Sequence, residues 1–117
     1  MSVNKVILVG NLGNDPDVNL LPSGGTVVNF SVATTDRWTD KESGEKKEQT
    51  EWHRVVAYDR LADIVAEYVK KGRQVYVEGK LRRTKYTDKD GIERTACDIV
   101  ARDVQMLGKR EDNGSPD

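Results

Sequence analysis

The residues of this 117-residue chain best suited to bind a ligand are aromatic side chains with basic neighbours. Four of the seven aromatic residues have a lysine or arginine beside them in sequence or on the same predicted strand face: Trp38, Trp52, Tyr58 and Tyr86. Unpaired nucleic acid offers bare base faces and a charged backbone, and base stacking on aromatic rings contributes about 1 to 3 kcal/mol per base. This pattern predicts sequence-tolerant binding of a single strand.

Packing in the core is the competing explanation for these aromatic residues. Trp52 or Tyr58, taken alone, is better explained as an ordinary core aromatic. Trp38 weakens that explanation because its surroundings, residues 36–49, are polar and offer no core for it to join. A large ring there needs a ligand or a neighbouring subunit.

The charge distribution also favours a polyanionic ligand. The net charge of the whole chain is −1, but residues 68–94 hold nine basic and four acidic residues, a net charge of +5. Three of the acidic residues lie in the last seven positions, so residues 1–110 carry +2. A basic domain is therefore masked by an acidic tail.

Composition excludes several classes of protein. With 36% apolar and 33% charged residues, the chain suits one modest core and excludes a two-domain enzyme. A single cysteine and a single histidine exclude an internal disulfide and a Cys/His zinc cluster, and we find no catalytic constellation and expect no metal or cofactor. Residues 1–5 lack a secretory apolar region, and no stretch is long enough to span a membrane, so we expect a cytoplasmic protein.

Period-two patterns and turn residues predict an all-β chain. The predicted extended segments are Val3–Val9, Thr26–Thr35, Thr50–Tyr58, Gln74–Thr87, Ile92–Val100 and Asp103–Leu107. Gly79 predicts a bulge or a sharp bend within its strand, and the residues from Gly10 to Pro16 predict a turn. Residues 36–49 are expected to form a mobile hairpin tip.

A single helix is expected between the third and fourth long strands. Asp59 is placed as its cap, and the apolar residues follow helical spacing: Leu61, Ile64, Val65, Tyr68 and Val69. Five or six strands with one helix suit an OB-fold, a five-stranded Greek-key barrel with long β-hairpin loops. An open antiparallel sheet with one covering helix is the alternative.

Four segments of the chain closely resemble the bacterial single-stranded DNA-binding protein family, SSB. The segments are VNKVILVGNLG at residues 3–13, EQTEWHRVV at 48–56, KGRQVYVEG at 71–79 and QMLG at 105–108. The resemblance covers residues 3–108 in order, and the OB-fold of that family agrees with the fold predicted from the strands.

The resemblance implies a homotetramer of OB-folds around which single-stranded DNA wraps, with neither catalysis nor cofactor. It implies base stacking by Trp38, Trp52, Tyr58 and Tyr86. It implies backbone contacts by Lys5, Arg54, Arg60, Lys71 and Lys85. It places His53 and Tyr76 at subunit interfaces. Tyr58 and Tyr86 stand where some relatives carry Phe and Trp, which keeps a stacking plane but alters the contribution of each ring.

We expect an OB-fold domain at residues 1–108 and a short disordered acidic tail at residues 109–117. Bacterial members usually end in an acidic tip with an apolar Pro-Phe pair that recruits replication and repair proteins, and this chain lacks that pair. Either the chain is shortened, or it is a short phage- or plasmid-type member that recruits partners weakly or differently.

The leading hypothesis is sequence-independent binding and protection of single-stranded DNA during replication, recombination and repair. A dimeric OB module of the primosomal type, which bridges other replication proteins, is one alternative. An OB-fold RNA-binding protein is another. A nuclease is the weakest candidate, because no metal cluster is evident in the sequence.

Overall fold

The computed structural model describes residues 1–108, which form six strands and one helix. The elements in chain order are β1 Val6–Leu12, β2 Asp17–Leu20, β3 Thr26–Thr39, β4 Lys46–Tyr58, α1 Asp59–Tyr68, β5 Gln74–Thr87 and β6 Glu93–Leu107. The expected tail at residues 109–117 lies outside the described residues.

Five of the strands close into a barrel. They are hydrogen-bonded in the order β1, β5, β6, β4, β3, and β3 returns to β1 through the pairs Asn11↔Ala33 and Leu12↔Val32. The short strand β2 pairs with β3 beside this ring. The predicted OB-fold barrel is confirmed, and the open-sheet alternative is wrong because β1 and β3 pair.

The core is built by alternation along the strands, as the period-two pattern predicts. Val28, Phe30 and Val32 of β3 point inward and are at most 2% exposed. Equally buried side chains come from the other long strands and the helix: Val55, Ala57, Val75, Val77, Ala62, Val65 and Val69. Full burial of a valine-sized side chain contributes about 1.5 to 3 kcal/mol, so this interior fixes the strands that carry the surface residues.

The predicted helix is confirmed, but two details of the prediction are wrong. Asp59 is not the cap: Tyr58 holds that position without a side-chain cap bond, and Asp59 is the first helical residue with φ 54°. Ile64 and Tyr68 share the helical spacing of the apolar residues but remain 41% and 53% exposed. The barrel opening accepts only the narrower stripe centred on Val65.

Two hairpins extend beyond the barrel, and we call them the β3–β4 arm (residues 34–51) and the β5–β6 arm (residues 82–98). The β3–β4 ladder continues without interruption to the pair Thr39↔Lys46. The prediction of a loop over residues 36–49 is therefore wrong, and only residues 40–45 form the tip. An arm that faces solvent on both sides needs no apolar alternation, so the sequence pattern does not mark it.

Glycines shape the barrel at two points. The predicted bulge is confirmed, because the β5–β6 register shifts between Glu78 and Gly79, and a Cβ at Gly79 would collide with the carbonyl oxygen of Val100. Strand β1 continues through Gly10, where a Cβ would meet the carbonyl oxygen of Ala33, as far as Leu12. The predicted turn is therefore wrong for residues 10–12, and the chain bends only from Gly13. Strand β6 is likewise continuous, not two separate pieces.

Candidate nucleic-acid interface

The outer side of β4, β5 and β6 forms a surface that we call the aromatic–arginine face. Its residues alternate along each strand or lie opposite one another in the ladders: Trp52, Arg54, Tyr58, Lys80, Arg82, Tyr86, Arg94 and Asp98. Arg82 lies directly opposite Asp98, and Tyr86 lies opposite Arg94. The predicted common face of Trp52, Arg54 and Tyr58 is thus extended by two further strands.

Trp52 presents a largely free ring on this face. It is 62% exposed, and its ring lies over Gly13, where a Cβ would overlap the ring atoms. The two chain segments can approach this closely only because Gly13 has no side chain. Its role in seating Trp52 cannot be recognised from the turn-like sequence around it.

Tyr58 is half-buried and is held by Arg82. The Nη1 group of Arg82 donates a hydrogen bond of 2.8 Å to the Tyr58 hydroxyl, and the guanidinium carbon lies 5.8 Å from the centre of the ring. This hydrogen bond, followed by the nearby Asp98 carboxylate, raises the pKa of Arg82. Arg82 therefore holds the hydroxyl end of this half-buried ring in place.

Tyr86 and Trp38 lie on the two arms. Tyr86 is 51% exposed on the β5–β6 arm. Trp38 is 48% exposed in β3, not in a loop as predicted, and it lies opposite Lys47. Trp52 lies opposite Ala33 and shares its face of the β3–β4 ribbon. Trp38 is five positions further along β3, so its side chain projects from the other face. The structure therefore brings Trp52, Tyr58 and Tyr86 to one face and places Trp38 around the edge.

An open groove accompanies Trp38 on the β3–β4 arm. Its lining alternates cationic, aromatic and polar groups: Arg37, Trp38, Thr39, Lys46, Lys47 and Glu48. Arg37 lies 3.9 Å from Glu48 in an exposed ion pair. A negatively charged strand that passes along this arm would meet both a ring and cations.

The predicted backbone-contacting cations are dispersed over the molecule. Arg54 belongs to the aromatic–arginine face, while Arg60 and Lys71 are exposed at opposite ends of the helix. Lys5 lies 3.4 Å from Glu78 in an ion pair on another side of the barrel. Lys85 is exposed on the pleat face opposite to Tyr86.

The predicted interface residues lie away from the stacking rings. His53 is partly buried, and its Nε2 lies 2.9 Å from Thr34 Oγ1. Tyr76 donates a 3.0 Å hydrogen bond to Glu78 Oε1. Beside it on the β1–β5 ladder, Ile7 and Val9 are 56% and 49% exposed. Ile7, Val9 and Tyr76 form an apolar strip, of which only Tyr76 is expected from the sequence.

Within residues 1–108, the His, Cys, Asp and Glu side chains form no group of three or more that could hold a metal ion. In the same range, no helix has the length and apolar character needed to cross a membrane.

Comparison with known proteins agrees with this geometry. Residues 3–107 match the model of the single-strand binding protein family. The chain belongs to that family. It is 54% identical over 112 residues to single-stranded DNA-binding protein 1 of Xylella fastidiosa (strain 9a5c), an alignment that covers 96% of this chain and 82% of the relative. This match confirms the resemblance found in the four sequence segments.

A solved structure supports the same assignment. The fold superposes with a TM-score of 0.84 on an SSB of Plasmodium falciparum that was solved in complex with single-stranded DNA. The two chains are 34% identical, and the match covers 92% of this chain and 97% of the other. The barrel described above is therefore the fold of a family member seen with a single strand.

Proposed function

We propose that this chain binds single-stranded DNA without regard to base sequence and so protects exposed strands during replication, recombination and repair. The observation that carries the proposal is the aromatic–arginine face, where the exposed rings of Trp52 and Tyr86, the half-buried ring of Tyr58 and several cations share one open surface. The family to which the chain belongs, and the relatives named for single-stranded DNA, support the same ligand.

In this proposal, aromatic rings bind the bases and cations bind the phosphates. Trp52, Tyr58 and Tyr86 accept bases, and every base has a π-face, so no sequence is preferred. Arg54 and the other face cations contact phosphates and release counterions, which makes the affinity fall as salt rises. Trp38 engages the strand where it passes around the β3–β4 arm. The remaining predicted cations, Lys5, Arg60, Lys71 and Lys85, lie outside this face and would be reached only by a strand that continues around the barrel.

Truncation of single rings tests the stacking assignment. Trp52→Ala and Trp38→Ala should each bind poly-dT more weakly than the parent at matched salt, while Tyr68→Ala serves as control because it removes an exposed ring from the helix. If Trp52→Ala and Trp38→Ala bind poly-dT as tightly as the parent and the control do, the stacking assignment is refuted. Preference for RNA over DNA of equal length in a competition titration would instead favour an RNA-binding protein.

The proposed binding needs no covalent step, and we propose a non-enzymatic protein of the cytoplasm or nucleoid. Incubation of labelled dT oligomer with the protein and Mg²⁺ should leave the oligomer intact. Cleavage that co-purifies with the protein would refute this part of the proposal.

We further propose that the chain assembles as a homotetramer. The apolar strip leaves Ile7 and Val9 exposed next to Tyr76, and within residues 1–108 the edge of β1 at Val6–Val9 opposite β5 pairs with no other strand. An unpaired edge beside exposed apolar side chains favours pairing with a second copy. His53 is the candidate for a further contact between subunits.

Mass measurement in solution tests the assembly. The parent should have the mass of a tetramer, and Ile7→Lys should yield smaller species because it places a charge in the apolar strip. Val18→Lys is the matched control, since Val18 is 46% exposed on β2, outside the strip. A stable dimer in the parent would favour the primosomal type of module.

A further inference from the structure

A buried acid lies in the middle of the aromatic–arginine face. The Asp98 side chain is only 10% exposed, and it lies between two arginines: Arg54 Nε is 3.5 Å from Oδ1 and Arg82 Nη2 is 3.6 Å from Oδ2. Its Oδ1 atom accepts no hydrogen bond from residues 1–108, so Arg54 meets it as an ion pair alone. Sequence analysis did not identify this residue.

An acid at this position needs a physical account. A carboxylate repels phosphates, and its burial removes favourable hydration. Two adjacent guanidinium groups also repel each other, and without an anion between them they would turn apart into solvent. The carboxylate between Arg54 and Arg82 offsets that repulsion and leaves the three groups with a net charge of +1, enough to attract one phosphate.

We propose that Asp98 is a positioning residue for the single-stranded DNA binding proposed above: it holds Arg54 so that its terminal nitrogens face the DNA backbone, and it holds Arg82 against Tyr58. The inference rests on that proposed function. Asp98 acts through the arginines and does not itself contact the strand.

The atoms used by each arginine support this role. Arg54 contacts Asp98 through its Nε, so its two terminal nitrogens are not engaged in that ion pair. Arg82 divides its terminal nitrogens between the Tyr58 hydroxyl and Asp98. Asp98 therefore also fixes, through Arg82, the ring of Tyr58 on which a base would stack.

Asp98→Asn tests the proposal, because it removes the charge and keeps the shape. Affinity for a dT oligomer should fall about threefold or more, the size expected when coupled groups lose their partner. The slope of log affinity against log salt should become shallower by about 0.7, the value of one lost contact to a single strand. Glu93→Gln is the matched control, since Glu93 is an exposed acid on the same strand. Unchanged or tighter binding by Asp98→Asn would overturn the proposal and show a merely repulsive charge.

A double-variant cycle separates positioning from general damage. Tyr58→Phe removes only the hydroxyl that Arg82 holds, and its effect and that of Asp98→Asn should be less than additive. Additive losses would overturn the chain of contacts. If thermal melting shows Asp98→Asn unfolded, Arg82→Lys replaces it, because a lysine cannot bridge Tyr58 and Asp98 at once, and the same loss is expected. Failure of the parent to bind dT would instead refute the proposed function.

Discussion

Gly13→Ala should impair DNA binding through Trp52 alone. The φ of Gly13 lies outside the left-handed region, and its amide donates a 3.0 Å hydrogen bond to the Ser31 carbonyl, so alanine suits the backbone. A methyl group there would lie 2.8 Å from Cη2 and 3.2 Å from Cε3 of Trp52. Carbon atoms prefer separations of about 3.5 to 4.0 Å, so the ring must move by about 1 Å or more.

The magnitude follows from what the ring contributes. Stacking is worth about 1 to 3 kcal/mol per base, and 1.4 kcal/mol is tenfold in affinity, so complete loss of the Trp52 contact is about fivefold to 150-fold. We expect Gly13→Ala to weaken binding by at least about fivefold. The free energy of unfolding should change by less than about 1 kcal/mol, because the displaced ring is already 62% exposed.

Tryptophan fluorescence provides the assay. The chain has two tryptophans, so a Trp38→Phe background leaves Trp52 as the reporter. Titration with a dT oligomer should quench Trp52 strongly, and Gly13→Ala should reduce both the quenching and the affinity. In a Trp52→Ala background, followed with a labelled oligomer, Gly13→Ala should change nothing further. Wild-type affinity and quenching in the Gly13→Ala protein would refute the proposed seat of the ring.

Two further predictions concern ionisable groups on the surface. A hydrogen bond from Arg94, assisted by the amide of Ile92, lowers the pKa of Asp88. The ionised Asp88 therefore stabilises the hairpin tip above the ordinary carboxyl pKa, and this stabilisation is lost as pH falls through the lowered pKa. Asp88→Asn should accelerate amide exchange at Ile92 at neutral pH, and equal rates would contradict this. The hydrogen bond to Glu78 raises the pKa of Tyr76, so that contribution is present below the ordinary tyrosine pKa and is lost as pH rises through the raised value. Titration by ultraviolet absorbance should show a late-ionising tyrosine that disappears in Tyr76→Phe and shifts down in Glu78→Gln, whereas persistence of the late phase in Tyr76→Phe would disprove the assignment.

Local pattern was sufficient for much of the barrel and failed where strands leave the core. The alternation of Val28, Phe30 and Val32 predicts β3 because one face must be apolar. Beyond Thr35 the same strand continues with polar residues on both faces, so hydrogen bonding to β4 maintains it without a sequence signal. The polar pattern consequently predicts a loop at Trp38, which is wrong, and an exposed ring, which is confirmed.

In the candidate site, too, the sequence predicts contacts within one strand and misses contacts between strands. Adjacent positions on β4 could be assigned to one face from period two, which brought Trp52, Arg54 and Tyr58 together. Arg82 and Asp98 meet them only across strands that lie far away in sequence, and Gly13 reaches Trp52 from the end of β1. None of these contacts leaves a mark in the local pattern.

By itself, the sequence determined the all-β class, the helix position, the bulge at Gly79 and the residue types able to hold a charged strand, because each depends on neighbours a few positions away. Tertiary structure alone decided which rings share a face, where Trp38 points, and that a buried acid joins two arginines. These three features depend on strand register and barrel closure, which bring segments that are distant in sequence into contact. Register and closure are set by the packing of all the core side chains together.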